Sequence, residues 1–290
     1  RFYTPEIVQK LTLIRQYYPQ HKLSASKSFM KKTTLQAGTN IMDKNKAIYK
    51  LEGFPKIYYI NLDDQSDRRK YMEDQFKYWN IENYTRISAN DGRGDNDLGE
   101  VLKGKYPELM TSGEVGCVTS HLKAIKQWLD TSDESEDSLI IMEDDCDLDV
   151  VSHWGFTWRD FKRSLPYHWD CIQLAVINPI EVHMKLHLRF VNDFSTACYL
   201  IRRDHARKLV RMHCRGEQFK LDQQVKPRAV ADDLIYNSGL TYAIPLFLYK
   251  IVLGSSIHDV HVNTFHKSSH DGLWQFWRKQ APTISDWEQL

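Results

Sequence analysis

The 290-residue chain has no apolar run long enough to cross a membrane. Its best candidate, Leu240 to Leu253, is interrupted by Pro245 and Lys250, whereas a span needs roughly 20 apolar residues. It has almost no net charge, with 39 Lys+Arg against 38 Asp+Glu, which argues against the basic footprint of a general nucleic-acid binder. Gly 13 and Pro 9 are too few for a disordered or collagen-like chain. No CxxC pair occurs among Cys117, Cys146, Cys171, Cys198 and Cys214. Their odd number and apolar settings predict buried, reduced thiols rather than a cysteine-built metal cluster. That favours the cytoplasm, with the ER or Golgi lumen open if a leader was removed, since the chain opens on Arg1 rather than Met and shows no signal peptide. Aromatics, by contrast, are plentiful: 12% of the chain, with 8 Trp and 15 Tyr. They suit a packed core and equally a carbohydrate-facing cleft.

The near-neutral total hides two opposed stretches. Thr131 to Asp149 carries nine acidic residues and no Lys or Arg, while Arg202 to Arg228 carries nine basic against three acidic. Residues 1–54 are Lys- and Gln-rich and read as a helical or loosely ordered extension. Residues 55–290 read as one α/β domain with an aromatic and His-rich tail. Apolar runs at Ile57–Leu62, Leu139–Met142, Cys171–Ile177 and Ala197–Ile201, with the short stretch Tyr84–Ser88, predict strands. Between them, Ser66, Ser112 and Asp204 are expected to cap helices. The first of these carries Met72, Phe76 and Trp79 on one face, and the second carries Val115, Val118, Leu122, Ile125 and Leu129. This alternation predicts a mixed, mostly parallel sheet flanked by helices.

Three constellations carry chemistry. In Ser138–Asp149 a buried strand runs into Glu143, Asp144, Asp145, Asp147 and Asp149. Ligands of open α/β sheets bind beyond the carboxyl ends of strands, and crowded carboxylates repel one another unless a cation sits among them. Oxygen donors favour Mg²⁺ or Mn²⁺; the plainer alternative is a solvated acidic loop. In Ile57–Arg69 a strand ends at a polar turn followed by Arg68 and Arg69, which either pair locally with Asp63, Asp64 or Asp67 or reach a phosphate. In Ser112–Leu122, Gly113 and Gly116 permit close backbone approach at a helix start, where anions are favoured. Ser120 and His121 follow one turn on. The helical His is as a rule structural, and it is also a candidate catalyst.

These segments together resemble glycosyltransferase family 25, the lipooligosaccharide and collagen β-galactosyltransferase family. The resemblance rests on Ile60-Asn61-Leu62 with Arg68, on Gly113-Glu114-Val115-Gly116-Cys117 with Ser120-His121, and on Glu143-Asp144-Asp145. It extends to Trp169-Asp170-Cys171-Ile172-Gln173-Leu174 and to Thr196-Ala197-Cys198-Tyr199-Leu200-Ile201 with Ala206 and Leu209. In order, these cover about Lys56 to Leu253.

The resemblance implies a GT-A-type nucleotide-sugar fold and an inverting, metal-dependent sugar transfer. It implies Asp145 as ligand of Mn²⁺ or Mg²⁺, with Asp147 offering a second register. Glu143 and Asp144 would contact the sugar nucleotide, and Asn61, Leu62, Arg68, Gly116 and Ser120 would line its pocket. Inversion also needs a base at the acceptor hydroxyl, and Asp232 or Asp233 resembles a family aspartate before an apolar helix; both can equally be dipole-stabilised helix starters. His258 or His261 could add a C-terminal metal ligand, although each such His is more often structural. Trp274 and Trp277 can stack on a sugar or fill the core. The expected donor is a UDP-sugar, UDP-galactose first and UDP-glucose as alternative. The expected acceptor is a glycan, a lipid-linked glycan or a hydroxylysine-type residue. A silent carbohydrate-binding protein and a metal-dependent phosphoesterase are the readings from other classes.

Overall fold

The computed structural model describes residues 45–94, 98–221, 228–253 and 266–284. Its centre is a seven-stranded sheet. Strands β1 (Ile57–Asn61), β2 (Tyr84–Ser88) and β3 (Ser138–Glu143) lie side by side in the order β2-β1-β3, all parallel. The strand β4 (Cys146–Asp147) follows just outside the sheet. Beyond β3 come β7 (Cys198–Arg202), then β5 (Cys171–Gln173), β10 (Thr241–Ala243) and β6 (His187–Leu188). Strand β7 runs antiparallel to β3 and β5, β10 runs parallel to β5, and β6 is an antiparallel edge. Five strands therefore share one direction, the mixed and mostly parallel sheet flanked by helices that the sequence predicts. Two small ribbons pair β8 (Cys214–Arg215) with β9 (Gln218–Phe219), and β4 with β11 (Leu248–Tyr249).

Helices cover both faces, which is why β1, β3 and β7 are apolar along nearly their whole length. Alternate residues feed two cores. Tyr59, Ile140, Met142 and Leu200 pack with helices α1 (Ser66–Tyr78), α3 (Trp158–Ser164) and α6 (Lys267–Gln275). Tyr58, Leu139, Ile141 and Tyr199 pack with α2 (Ser112–Thr131), α4 (Arg203–His213) and α5 (Ala231–Tyr236). Asn45 to Phe54 dock on the first of these cores: Leu51 is buried in it and the Phe54 ring sits edge-on to Trp158 at 4.5 Å. Residues 1–44 of the expected extension lie outside the described residues. Trp277 belongs to the core, its Nε1 donating to the Pro245 carbonyl at 3.1 Å, while Trp274 stacks with Arg278.

Local signals are shifted at several ends. Helix α2 is capped by Thr111, not Ser112, through a reciprocal box: Thr111 Oγ1 accepts from Glu114 N at 3.2 Å and Glu114 Oε2 accepts from Thr111 N at 2.8 Å. Ser66 and Asp204 lie inside their helices, whose N-caps Gln65 and Arg202 make no side-chain cap. Strand β5 stops at Gln173, well before Ile177. There the Gln173 amide donates to the carbonyls of Ala175, Phe194 and Ser195 at 2.8–3.2 Å and holds the departing chain. All five cysteines are free thiols. Among the described residues, no helix is long and apolar enough to cross a membrane.

The two charged stretches largely meet each other away from the sheet's carboxyl end. Arg203 donates to the Glu136 and Asp133 carbonyls at 2.6 Å and lies 4.6 Å over the Trp128 ring, and Arg207 pairs with Glu134. Of the acidic stretch, Glu143, Asp144 and Asp145 line the cleft.

Candidate functional site

The parallel strands β1 and β3 end side by side, with Ile60 opposite Glu143. Their carboxyl ends, the start of α2 and the loop Ala89–Arg93 enclose a cleft with about 670 Å³ of space, part of it open to solvent. Asn61, Leu62, Arg68, Ser120, His121, Glu143, Asp144 and Asp145 all line it.

On one wall, Arg68 is buried and clamps the acidic triplet. Its Nε donates to Asp144 Oδ1 at 2.7 Å, and its Nη2 lies 2.6 Å from the same oxygen and 3.2 Å from Asp145 Oδ2. Asn61 Nδ2 donates to the other oxygen, Asp144 Oδ2, at 2.7 Å. The choice left open for the two arginines thus resolves differently for each. Arg68 reaches across to the acidic strand end, while Arg69 donates to the Asp63 carbonyl at 3.1 Å and to Asn61 Oδ1 at 3.3 Å.

Opposite, His121 is buried between Tyr199 and Glu143. Its Nδ1 is 3.0 Å from the Tyr199 hydroxyl and its Nε2 is 3.2 Å from Glu143 Oε1, which also accepts from Thr196 Oγ1 at 2.6 Å. Burial alone would raise the Glu143 carboxyl. The His121 and Thr196 hydrogen bonds and the Arg68 charge outweigh it and hold Glu143 below its ordinary value. Asp145 goes the other way. Burial, followed by the charge of Glu143, pushes it up to about 7 in spite of Arg68. Its Oδ1 is buried with no hydrogen-bond partner among the described residues.

Gly116 sets the floor. A Cβ there would stand 2.7 Å from the Asn90 carbonyl oxygen and 2.9 Å from Gly92 N, and one on Gly92 would strike the Ser112 carbonyl. Only glycines let the Ala89–Arg93 loop lie on the helix. Ser120 then fixes that loop, its Oγ accepting from Asn90 N at 2.8 Å and donating to the Gly116 carbonyl at 2.6 Å.

Asp147 does not line the cleft. It is buried in the β4–β11 ribbon, its Oδ2 3.4 Å from Lys250 Nζ and its Oδ1 accepting from Asp149 N at 2.9 Å. The expected ligands His258 and His261 lie outside the described residues. Asp232 and Asp233 open α5 and part company. Asp233 is satisfied by Asn237 Nδ2 at 3.1 Å and Arg228 N at 3.4 Å. Asp232 Oδ1 is buried with no partner among the described residues. Burial chiefly, and the charges of Glu143 and Asp233, raise Asp232 to about 6 against the pull of Arg189.

Cys117, Thr196 and Tyr199 belong to the site although the sequence does not mark them as functional. The available signal for Cys117 is its position one turn before His121, which puts the two on one helix face. Thr196 has no periodic signal: it reaches Glu143 because the preceding Ser195 takes a left-handed backbone, φ 97°.

Residues 54–154 match a family model described as glycosyltransferase family 25 (LPS biosynthesis protein). The match falls on the segment that supplies the residues lining the cleft. No curated protein matches the chain. The crystal structure of A197 from STIV is similar at a TM-score of 0.36 with 10% identity over 67% of this chain and 83% of that one, a likeness too slight to carry an argument.

Proposed function

From the family 25 glycosyltransferase segment at residues 54–154, we propose that the protein is an inverting hexosyltransferase that uses a UDP-sugar, with UDP-galactose as first donor, and binds it in the cleft between β1 and β3. The observation that carries this reading is the Asn61–Arg68–Asp144–Asp145 clamp at the ends of two parallel strands, the position where α/β sheets take nucleotides. Mn²⁺ or Mg²⁺ fits here in a limited way. Both oxygens of Asp144 are committed to Asn61 and Arg68, so Asp145 Oδ1 is the free oxygen of the pair. Ions of this class are often held by one or two carboxylates plus substrate phosphates. Asp145 is the residue that would hold the ion, and when bound it would neutralise charge on the departing diphosphate.

The protein's own residues account for the rest. Arg68 holds Asp144 and Asp145 apart from each other's repulsion and orients Asp145 toward the cleft. His121, fixed by Tyr199, keeps Glu143 ionised at the cleft floor. Neither Asp232 nor Asp233 lines the cleft, but the charge of Asp232 is felt at Cys117, which does. Asp232 is the better base of the two, because its Oδ1 is uncommitted and its carboxyl is raised toward neutrality, where a base is most effective. In the transfer, the acceptor hydroxyl oxygen attacks the anomeric carbon as the bond to the diphosphate breaks, and its proton passes to Asp232.

The test is UDP release from a panel of UDP-sugars with Mn²⁺, with and without glycan acceptors. The expected result is acceptor-stimulated release from one hexose donor that is lost in Asp145→Ala. Absence of both turnover and metal-dependent UDP binding overturns the reading.

A further inference from the structure

Cys117 and His121 lie at i and i+4 on α2, so both side chains leave the same face and enter the cleft beside Glu143 at the end of β3. One donor atom from each of the three residues lies within 4.8 Å of the others. We propose that Cys117, His121 and Glu143 form a site for a thiophilic divalent cation of the Zn²⁺ class, distinct in donor chemistry from the all-oxygen setting of Asp145. The proposal does not rest on the transferase reading.

Four observations carry it. The pair His121 Nε2 and Glu143 Oε1 is 3.2 Å apart, and a tetrahedral ion with ordinary Zn–N and Zn–O bonds sets two such ligands about 3.3 Å apart. Those two side chains are held by further hydrogen bonds: the Tyr199 hydroxyl fixes His121 through Nδ1, and Thr196 Oγ1 donates to Glu143 Oε1, whose second lone pair stays open. Such outer hydrogen bonds orient metal ligands. The helical spacing repeats the one by which paired helical histidines grip zinc. The charges also close, since a thiolate and a carboxylate neutralise a divalent ion in a poorly solvated floor. Thiolate and imidazole donors select Zn²⁺ over Mn²⁺ or Mg²⁺. Three protein ligands would leave a fourth position to water or to a molecule in the cleft, the arrangement of zinc sites that act on a ligand rather than merely brace a fold. Asp145, with its uncommitted Oδ1, is a neighbouring group: its charge is felt at Cys117, and it feels that of Glu143.

The experiment titrates the metal-free, reduced full chain with Co²⁺ and follows absorbance, then displaces Co²⁺ with Zn²⁺. The expected result is one equivalent of Co²⁺ with a thiolate charge-transfer band, abolished by Zn²⁺ and absent in Cys117→Ser. Tyr199→Phe, which leaves all three ligands in place, is expected to keep the band and bind about 10–100-fold more weakly. A wild-type protein without a thiolate band overturns the site, as does a band that survives in folded Cys117→Ser. If the band is missing while Mn²⁺-dependent transfer proceeds, this site falls and the transferase reading stands. If the band is present and no donor is turned over, the reverse holds.

Discussion

Arg68 and Asp144 form a buried ion pair that ties α1 to the end of β3: Nε donates to Oδ1 at 2.7 Å, and Nη2 lies 2.6 Å from the same oxygen. Both side chains are about nine-tenths buried, at 10% and 11% exposure. Removing one partner of such a pair leaves a charge stranded out of water. Arg68→Ala is therefore expected to lower unfolding free energy by about 3–5 kcal/mol, measured by urea titration. Arg68→Lys keeps the charge and loses the fork, so it is expected to retain the fold and weaken nucleotide binding in the cleft.

Gly116→Ala tests the floor. Its methyl group would collide with the Asn90 carbonyl and Gly92 N, both backbone atoms. Backbone cannot step aside as a flexible side chain can, so the Ala89–Arg93 loop must lift. The expected cost is about 1–3 kcal/mol, read by denaturant melts, together with loss of the Ser120–Asn90 hydrogen bond, read as faster amide exchange at Asn90.

The central strands and both sheet faces are legible in the sequence because burial on two sides forces continuous apolar runs, and β1 and β3 fall where those runs do. So is the clustering of Asn61, Arg68, His121 and Glu143–Asp145, since each sits at a strand end or on the first turns of a helix and strand ends converge in a parallel sheet. What the runs do not encode is termination. Strand β5 ends early because the Gln173 side chain captures the Ala175 carbonyl and those of the Asp193–Ser195 turn, a tertiary event with no local pattern. Likewise Asp147 sits one pleat beyond the triplet and looks equivalent to Asp145. Its pairing with Lys250 depends on β11, about a hundred residues on. The division between Asp232 and Asp233 is equally invisible, for adjacent residues on a helix face opposite surroundings that only packing supplies.

Asp232 gives a pH prediction. A carboxyl raised to about 6 is protonated below that value and cannot accept a proton. Under the transferase reading, and with Mn²⁺ saturating so that Asp145 stays ionised, log kcat/KM is expected to climb with pH up to about 6 and then flatten. The stability sign is opposite: ionising Asp232 in the fold is unfavourable, so its contribution to stability declines as pH rises from the ordinary Asp range through 6. Asp232→Asn is expected to remove the acidic limb and to lower kcat by roughly 10²–10⁴-fold while folding normally. An unchanged pH–rate limb in that variant would assign the base elsewhere.

Ser195 is where backbone strain meets the site. Its φ of 97° is a left-handed conformation that side chains rarely adopt. The surroundings enforce it: the Ser195 carbonyl accepts from Tyr236 Oη at 2.9 Å and from Gln173 Nε2 at 3.1 Å, and its Oγ accepts from Ala197 N at 3.1 Å. The reversed residue presents its own amide to Asp232 and turns Thr196 Oγ1 onto Glu143, so one strained torsion sets two carboxylates. Glycine tolerates that torsion without a Cβ penalty. Ser195→Gly is therefore expected to stay within about 1 kcal/mol of the parent, its lost Oγ contact offset by relief of strain. Ser195→Val, β-branched and intolerant of positive φ, is expected to cost about 1–3 kcal/mol and to disturb Glu143 as well. The decisive comparison is the pair of variants under the same urea titration and pH–rate profile. If Val matches Gly in both, the torsion holds nothing in place, and Thr196 reaches Glu143 by another route.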